Sequence, residues 1–385
     1  MRYALVTETY PPEVNGVALT VQGLALGLRA RGHAVEVVRP HQPGETGDEA
    51  GREPAIATLR TRGAALPRYP GLRLGLPASG QLVRHWMPRP PDAVYIATEG
   101  PLGWSALRAA TRLGIPVASG FHTRFDHYMR DYGMPWLEGA ALAWMRRFHN
   151  RAHATLVPTE ELLLLLQARG FQRVQRLPRA VDTAQLSPAL RDAGLRRSWG
   201  AGAATLVAIH VGRIAPEKNL GLAVRAFRAL QTRRPDARMV WVGDGPARAA
   251  LERANPDFVF CGTRRGGDLA RHFASADLFL FPSRSETFGN VTLEAMASGV
   301  PTVAFDSGAA REHLRDGIHG ARVDDEGGFI AATLRLAGDD PARRAMGRAA
   351  REAVLRLRPE QVAADFDALL AALVRRGGDD AALAA

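Results

Sequence analysis

The chain has 385 residues, 46% of them hydrophobic and 23% charged, which excludes a disordered or fibrous protein and predicts two globular α/β domains. Its one cysteine, Cys261, excludes an internal disulfide, gives no basis for a cysteine metal cluster and points to a reducing, cytoplasmic setting. The net charge of +11 is unevenly spread, since no acid occurs from Pro54 to Pro91, where Arg60, Arg62, Arg68, Arg73, Arg84 and Arg89 are interleaved with leucines, Tyr69 and Trp86.

Tyr3 to Thr7 forms the first predicted strand, and Glu8 follows too early for a secretory signal. No run approaches the roughly 18 apolar residues of a membrane span. After Gly16 a helical stretch, Val21 to Arg31, carries Leu24, Ala25 and Leu28 on one face, and Gly32 ends it. Ala34 to Val38 is the next strand. The arginine-rich stretch reads either as a solvated loop or as a patch for anionic lipid headgroups. Nucleic acid is not expected, because no aromatic RNA motif or helix-turn-helix pattern accompanies the charge.

Strands follow at Ala93 to Ile96, Val117 to Ser119 and Ala154 to Pro158, with helices at Pro135 to Arg151 and Glu160 to Arg169. Strands alternating with helices imply a mainly parallel sheet. Asp182 to Gly202 is the expected connection between domains. The second pattern runs through strands Thr205 to Val211, Arg238 to Val242, Phe258 to Phe260, Leu278 to Phe281 and Thr302 to Phe305. Helices Leu220 to Gln231, Pro246 to Ala254, Asp268 to Ala274 and Val291 to Ala297 alternate with them. An amphipathic helix from Pro359 to about Val374 precedes a tail, 377–385, that is expected to be disordered. Asp365 and Asp367 match a metal-binding Asp-x-Asp text but point to different sides of that helix, and they read as solvated surface. Neither domain has a dinucleotide-binding glycine turn, a Walker loop or a nucleophile elbow.

Two loops carry chemistry. Ser283 to Glu294 leaves a strand and enters a helix, so it offers backbone N–H groups and a partial positive charge beyond the strand end. Gly289 permits close approach of a phosphate. Glu286 in the loop and Glu294 in the first helical turn can each accept two hydroxyl hydrogen bonds, as a ribose or hexose demands. Alternatively, Glu294 complements the helix dipole and Glu286 is a surface residue. The second loop, Val211 to Asn219, also follows a strand. There Arg213 and Lys218, the only lysine of the chain, can reach a diphosphate. A lysine kept among so many arginines marks a place where a compact ammonium serves and a planar fork does not.

These residues resemble the retaining glycosyltransferases of family 4, which share the α/β GT-B fold. The resemblance rests on Gly212-Arg-Ile-x-x-Glu-Lys-Asn219, on Glu286 and Glu294 with seven residues between them, and on Val242-Gly-Asp-Gly-Pro246 and Ser298-Gly-Val-Pro301. Tyr10-Pro-Pro-x-x-Asn-Gly16 belongs to it too. Phe121-His-Thr-Arg and Asn15-Gly16-Val resemble the subgroup of GDP-mannose-dependent α-mannosyltransferases and sulfolipid synthases.

The resemblance implies two Rossmann-like domains facing a cleft, an acceptor domain at 1–185 and a nucleotide-sugar domain at 186–358, with a helix at 359–376 crossing back to the first. Arg213 and Lys218 would bind the donor diphosphate, and Glu294 the ribose. Glu286 and the backbone of Thr287, Phe288 and Gly289 would hold the donor sugar. The amides of Asn290 and Val291 would lie against the phosphate, and Phe260, Cys261 and Gly262 against the base. Gly16 would approach the phosphate, and His122 would face the sugar at the reaction centre. His127 and His149 read as structural. The implied activity is metal-independent hexosyl transfer with retention from a GDP- or UDP-sugar, mannose favoured, without a cofactor, to a lipid-linked or glycan acceptor beside an anionic membrane surface. An epimerase or phosphorylase on the same fold, or a non-catalytic nucleotide-sugar-binding protein, remains an alternative reading.

Overall fold

The structure, a computed structural model, describes residues 1–13, 15–42, 56–65, 73–122, 138–284, 286 and 288–383. The chain forms two compact units, Met1–Ala180 with Pro359–Ala385, and Val181–Arg358.

The first unit contains β1 (Arg2–Val6), α1 (Gly16–Ala30), β2 (Ala34–Pro40), β3 (Ala57–Thr61), β4 (Gly63–Ala65), β5 (Arg73–Gly75), α2 (Ser79–Trp86), β6 (Ala93–Ile96), α3 (Pro101–Arg112) and β7 (Val117–Gly120). It continues with α4 (Glu138–His149), β8 (Ala154–Val157), α5 (Glu160–Ala168) and β9 (Val174–Arg176). The strands form a parallel sheet in the order β3-β2-β1-β6-β7-β8-β9, while β4 and β5 pair as a separate antiparallel hairpin. Side chains alternate across β1. Tyr3 and Leu5 join the apolar face of α1, and Ala4 and Val6 join a second cluster with Leu82, Trp86 and Leu107. Both faces of the sheet are thus covered, as a parallel sheet requires.

The second unit contains α6 (Ala193–Ser198), β10 (Val207–Val211), α7 (Leu220–Gln231), β11 (Arg238–Val242), α8 (Arg248–Ala254), β12 (Val259–Phe260), α9 (Gly266–Ala274) and β13 (Leu278–Phe281). After these come α10 (Asn290–Ala297), β14 (Thr302–Phe305), α11 (Gly308–His313), β15 (Gly320–Val323), α12 (Glu326–Gly338) and α13 (Asp340–Val354). Its strands form a parallel sheet in the order β12-β11-β10-β13-β14-β15, with one apolar cluster on each face.

Three expectations are corrected here. The segment from Asp182 to Gly202 is packed structure of the second unit, not a linker. Val181, Leu186 and Trp199 lie in its core, and the buried Arg196 donates to the carbonyls of Ser275, Gly202 and Thr205 and to Asp277. The closing helix, α14 (Pro359–Leu383), runs through most of the tail expected to be disordered. Asp367 is not solvated surface, because α14 packs on α1 and turns this carboxylate inward to accept from Arg31 Nε (2.9 Å) and Tyr3 Oη (3.1 Å), with His33 Nε2 at 3.0 Å.

Candidate active site

In the second unit the sheet order reverses between β10 and β13. The chain proceeds from β10 outward through β11 and β12, and from β13 outward the other way. Loops leaving two such strands diverge and open a crevice beyond their carboxyl ends, where open α/β sheets bind ligands.

The loop after β10 is lashed to its neighbour, since Gly212 N–H donates to Val242 O (3.0 Å) and Ile214 N–H to Asp244 O (2.9 Å). A single helical turn, Pro216–Lys218, ends at Asn219, whose φ of 53° is left-handed, a conformation asparagine tolerates better than most residues. Asn219 Nδ2 donates to Pro282 O at 3.3 Å, tying this loop to the one after β13. Across the same gap Lys218 Nζ donates to Glu286 Oε1 at 2.5 Å, with the two side chains only 22% and 18% exposed. Arg213 Nη1 lies 3.4 Å from Glu217 Oε1 and is more open to solvent.

Gly289 begins α10 with φ at +86°, and a Cβ there would sit 3.2 Å from the Phe281 ring. No side chain caps the helix, so the amides of Asn290 and Val291 have no acceptor among the described residues. They form a positive helix end aimed past the strand termini. Phe288 is buried, and its carbonyl accepts from Ala309 N–H at 2.6 Å. Thr287 lies outside the described residues.

Glu294 stands in the second turn of α10, not the first, so it is not placed to complement the amino end of the helix. Its carboxylate has no hydrogen-bond or ion-pair partner among the described residues, and burial pushes it up to about 7. Phe260 stacks on Trp241 with centroids 6.1 Å apart, Cys261 N–H donates to Trp241 O, and Gly262 O accepts from Gly243 N–H, both at 2.9 Å. Burial raises the Cys261 thiol, which therefore stays protonated at neutral pH. Beneath the crevice His210 is buried in β10 and held neutral, its pKa lowered to about 4 by burial, with Nδ1 3.1 Å from Leu280 O.

In the first unit the sheet reverses between β1 and β6. Gly16 is exposed at the start of α1, where Asn15 Oδ1 accepts from Val17 and Ala18 N–H. His122 follows β7. Its Nε2 lies 2.7 Å from Tyr95 Oη and its Nδ1 2.5 Å from Arg179 Nη2. Burial, then the nearby Arg179 and His149, hold its pKa well below the usual imidazole value. Sequence reasoning missed Tyr95, which sits in an all-apolar strand and reads as core, and Arg179, one arginine among many. His149 is buried against Ser119 Oγ (2.9 Å), Phe121 and Phe171, while His127 lies outside the described residues. Two buried carboxyls at the sheet reversal also escaped notice. Burial raises Glu8 to about 7, with Oε1 accepting from Leu102 N–H, and Glu99 to about 8, with Oε1 unpartnered.

An open cavity of about 590 Å³ beside β2–β5 is lined by His41, Arg60, Arg62, Arg73, Leu76 and Gln81. Trp86 does not contribute to this basic face, because it is buried with Nε1 donating to Glu36. Arg68 and Tyr69 lie outside the described residues. No helix among the described residues is long and apolar enough to cross a membrane.

Comparison with known proteins follows the same lines. The profile described as Glycosyltransferase Family 4 matches residues 14–185, and that described as Glycosyl transferases group 1 matches residues 205–339. A GDP-mannose-dependent alpha-mannosyltransferase of Mycolicibacterium smegmatis is 36% identical over 92% of this chain and 93% of its own length. The sulfoquinovosyl transferase SQD2 of Arabidopsis thaliana is 30% identical over 91% of this chain and 69% of its own. Among solved structures, a sucrose-phosphate synthase from Thermosynechococcus elongatus superposes with a TM-score of 0.80 at 19% identity, covering 97% of this chain and 99% of that one. That likeness is one of fold, and the fold is GT-B.

Proposed function

The chain belongs to glycosyltransferase family 4, and from that premise we propose that it transfers mannose from GDP-mannose, with retention of configuration, to a lipid-linked or glycan acceptor. The observation that carries this reading is the Lys218–Glu286 pair at the sheet reversal, beside the uncapped amino end of α10. It puts a cation, a hydroxyl-binding carboxylate and free amides where an activated sugar presents a diphosphate and a ring of hydroxyls. The donor assignment is supported by relatives that are named for GDP-mannose and align along most of the chain.

Arg213 and Lys218 take the diphosphate, Glu294 the ribose, Glu286 and Gly289 the sugar, and Phe260 to Gly262 the base. His122 faces the sugar. The acceptor oxygen bonds to the anomeric carbon on the face from which the phosphate departs. The C–O bond electrons go to the phosphate oxygen, which takes the acceptor's proton. Fixed cations offset the charge growing on that oxygen, so no divalent metal is needed.

Lys218→Ala and Glu294→Ala are each expected to lower the transfer rate by roughly a hundredfold or more, with circular dichroism unchanged. Transfer should survive chelation of divalent ions. Wild-type rates from both variants would refute the assignment.

We further propose that the arginine-bearing face of the first unit rests on anionic bilayers, with Arg60, Arg62 and Arg73 beside the exposed Leu76. Flotation with vesicles is expected to need anionic lipid and to weaken as salt is raised. Equal recovery with neutral vesicles would overturn it.

A further inference from the structure

We propose that Arg179 and Tyr95 are positioning residues that lock His122 in one neutral tautomer, with the proton on Nε2, so that it has no free lone pair with which to take the acceptor's proton. The argument is one of donor and acceptor capacity. A guanidinium only donates, so Arg179 Nη2 at 2.5 Å requires the lone pair of His122 to be on Nδ1. The ring proton is then on Nε2, which faces Tyr95 Oη at 2.7 Å and donates to it.

The phenol is itself closely packed. Tyr95 is 1% exposed, and its ring meets Phe366 of α14 edge-on at 5.0 Å. Gly120 leaves room for the pair, since a Cβ there would lie 2.2 Å from Tyr95 Oη and 2.5 Å from His122 Nε2. The titratable and charged groups that face His122 among the described residues are Tyr95 from β6, Arg179 beyond β9 and His149 from α4. None is an acid. Among the described residues a protonated imidazole would stand beside a guanidinium with no counter-charge, so the neutral ring is held against acidification.

The inference deepens the proposed function and rests on its reading of His122 as a sugar-facing residue. It removes His122 as a base, and the departing phosphate oxygen is left as the proton acceptor.

The test is nitrogen NMR on the full chain with labelled histidine rings. His122 is expected to show the Nε2–H pattern and no titration between about pH 5 and 9. Arg179→Met removes the donor to Nδ1. Its ring should then no longer be held to the Nε2–H pattern, although burial, the larger cause of its low pKa, still opposes protonation, and kcat should fall roughly a hundredfold as the ring loses its fixed position. Arg179→Lys keeps a donor-only partner and should keep the tautomer. A wild-type ring that titrates normally or carries its proton on Nδ1 overturns the proposal, as does an Arg179→Met ring whose Nε2–H pattern is unchanged. His122→Ala separates the two readings. If it transfers sugar at the wild-type rate while the wild-type tautomer is as described, the role of His122 at the sugar fails and the lock stands.

Discussion

Lys218 and Glu286 come from loops 68 residues apart and meet at 2.5 Å. An ammonium suits this place because it can approach one carboxylate oxygen and still swing its other donors toward a phosphate, which a planar guanidinium does less readily. Glu294 is the residue whose environment makes a claim about pH. Burial raises it to about 7, so it is largely protonated in the free protein below neutrality. In the proposed role ribose hydroxyls would bind the ionised form, so binding would lower its pKa and release the proton. Affinity for GDP is therefore expected to rise with pH through 7 and to level off above it, by at most about tenfold per pH unit. Calorimetric titrations at about pH 6 and 8 check the sign, and Glu294→Gln should flatten the slope. The loop motifs were readable from sequence because each is local in the chain. Glu294's place in the second turn was not, since the helix begins at Asn290, directly after the left-handed Gly289 and one residue before the predicted Val291.

Helix α14 shows how an amphipathic pattern becomes a structural clamp. Val362, Phe366, Leu370 and Leu373 enter the core cluster that α1 covers, and Asp367 gathers Arg31, His33 and Tyr3. Burial works against that carboxylate, but hydrogen bonds from Arg31 and His33 hold it below its ordinary value. Gly27 lies where α1 meets α14, and a Cβ there would come 2.4 Å from Ala363 Cβ. Gly27→Ala gains about 1 kcal/mol of helix propensity, yet overpacking costs about 1–3 kcal/mol. The clash wins, and the net effect is expected to be destabilising. Asp367→Ala should cost about 2–3 kcal/mol by stranding its donors. Urea denaturation measures both, and an unchanged midpoint in either variant would count against this packing. Periodicity revealed the apolar stripe of α14, but which of its acids faces inward depends on a partner helix more than 300 residues earlier in the chain.

The two units repeat one design, a parallel sheet with a reversal near its centre, and in the first unit that reversal holds Glu8 and Glu99. Both carboxyls are raised by burial, to about 7 and about 8, from an ordinary 4.5. The folded state therefore keeps protons that the unfolded chain releases. The stability linked to them is fully present below 4.5 and is lost as pH rises through 7 and 8. The thermal midpoint of the first unit should fall between about pH 6 and 9, and Glu99→Gln should raise the alkaline midpoint by roughly 2–4 °C in scanning calorimetry.

The amino-acid order alone was enough for the α/β class, the two-domain plan and the places of the loops after β10 and β13. Buried parallel strands such as Leu278–Phe281 and Thr302–Phe305 are short apolar runs, and glycine-rich loops sit next to them in the chain. The arginine-rich stretch hid β3, β4, β5 and α2, because charge masked their short patterns. Tertiary structure decided the rest. Tyr95 and Arg179 reach His122 across 27 and 57 residues, and Asp367 reaches Tyr3 across 364. Such contacts depend on strand order and on the return of the last helix, and no local periodicity encodes either of them.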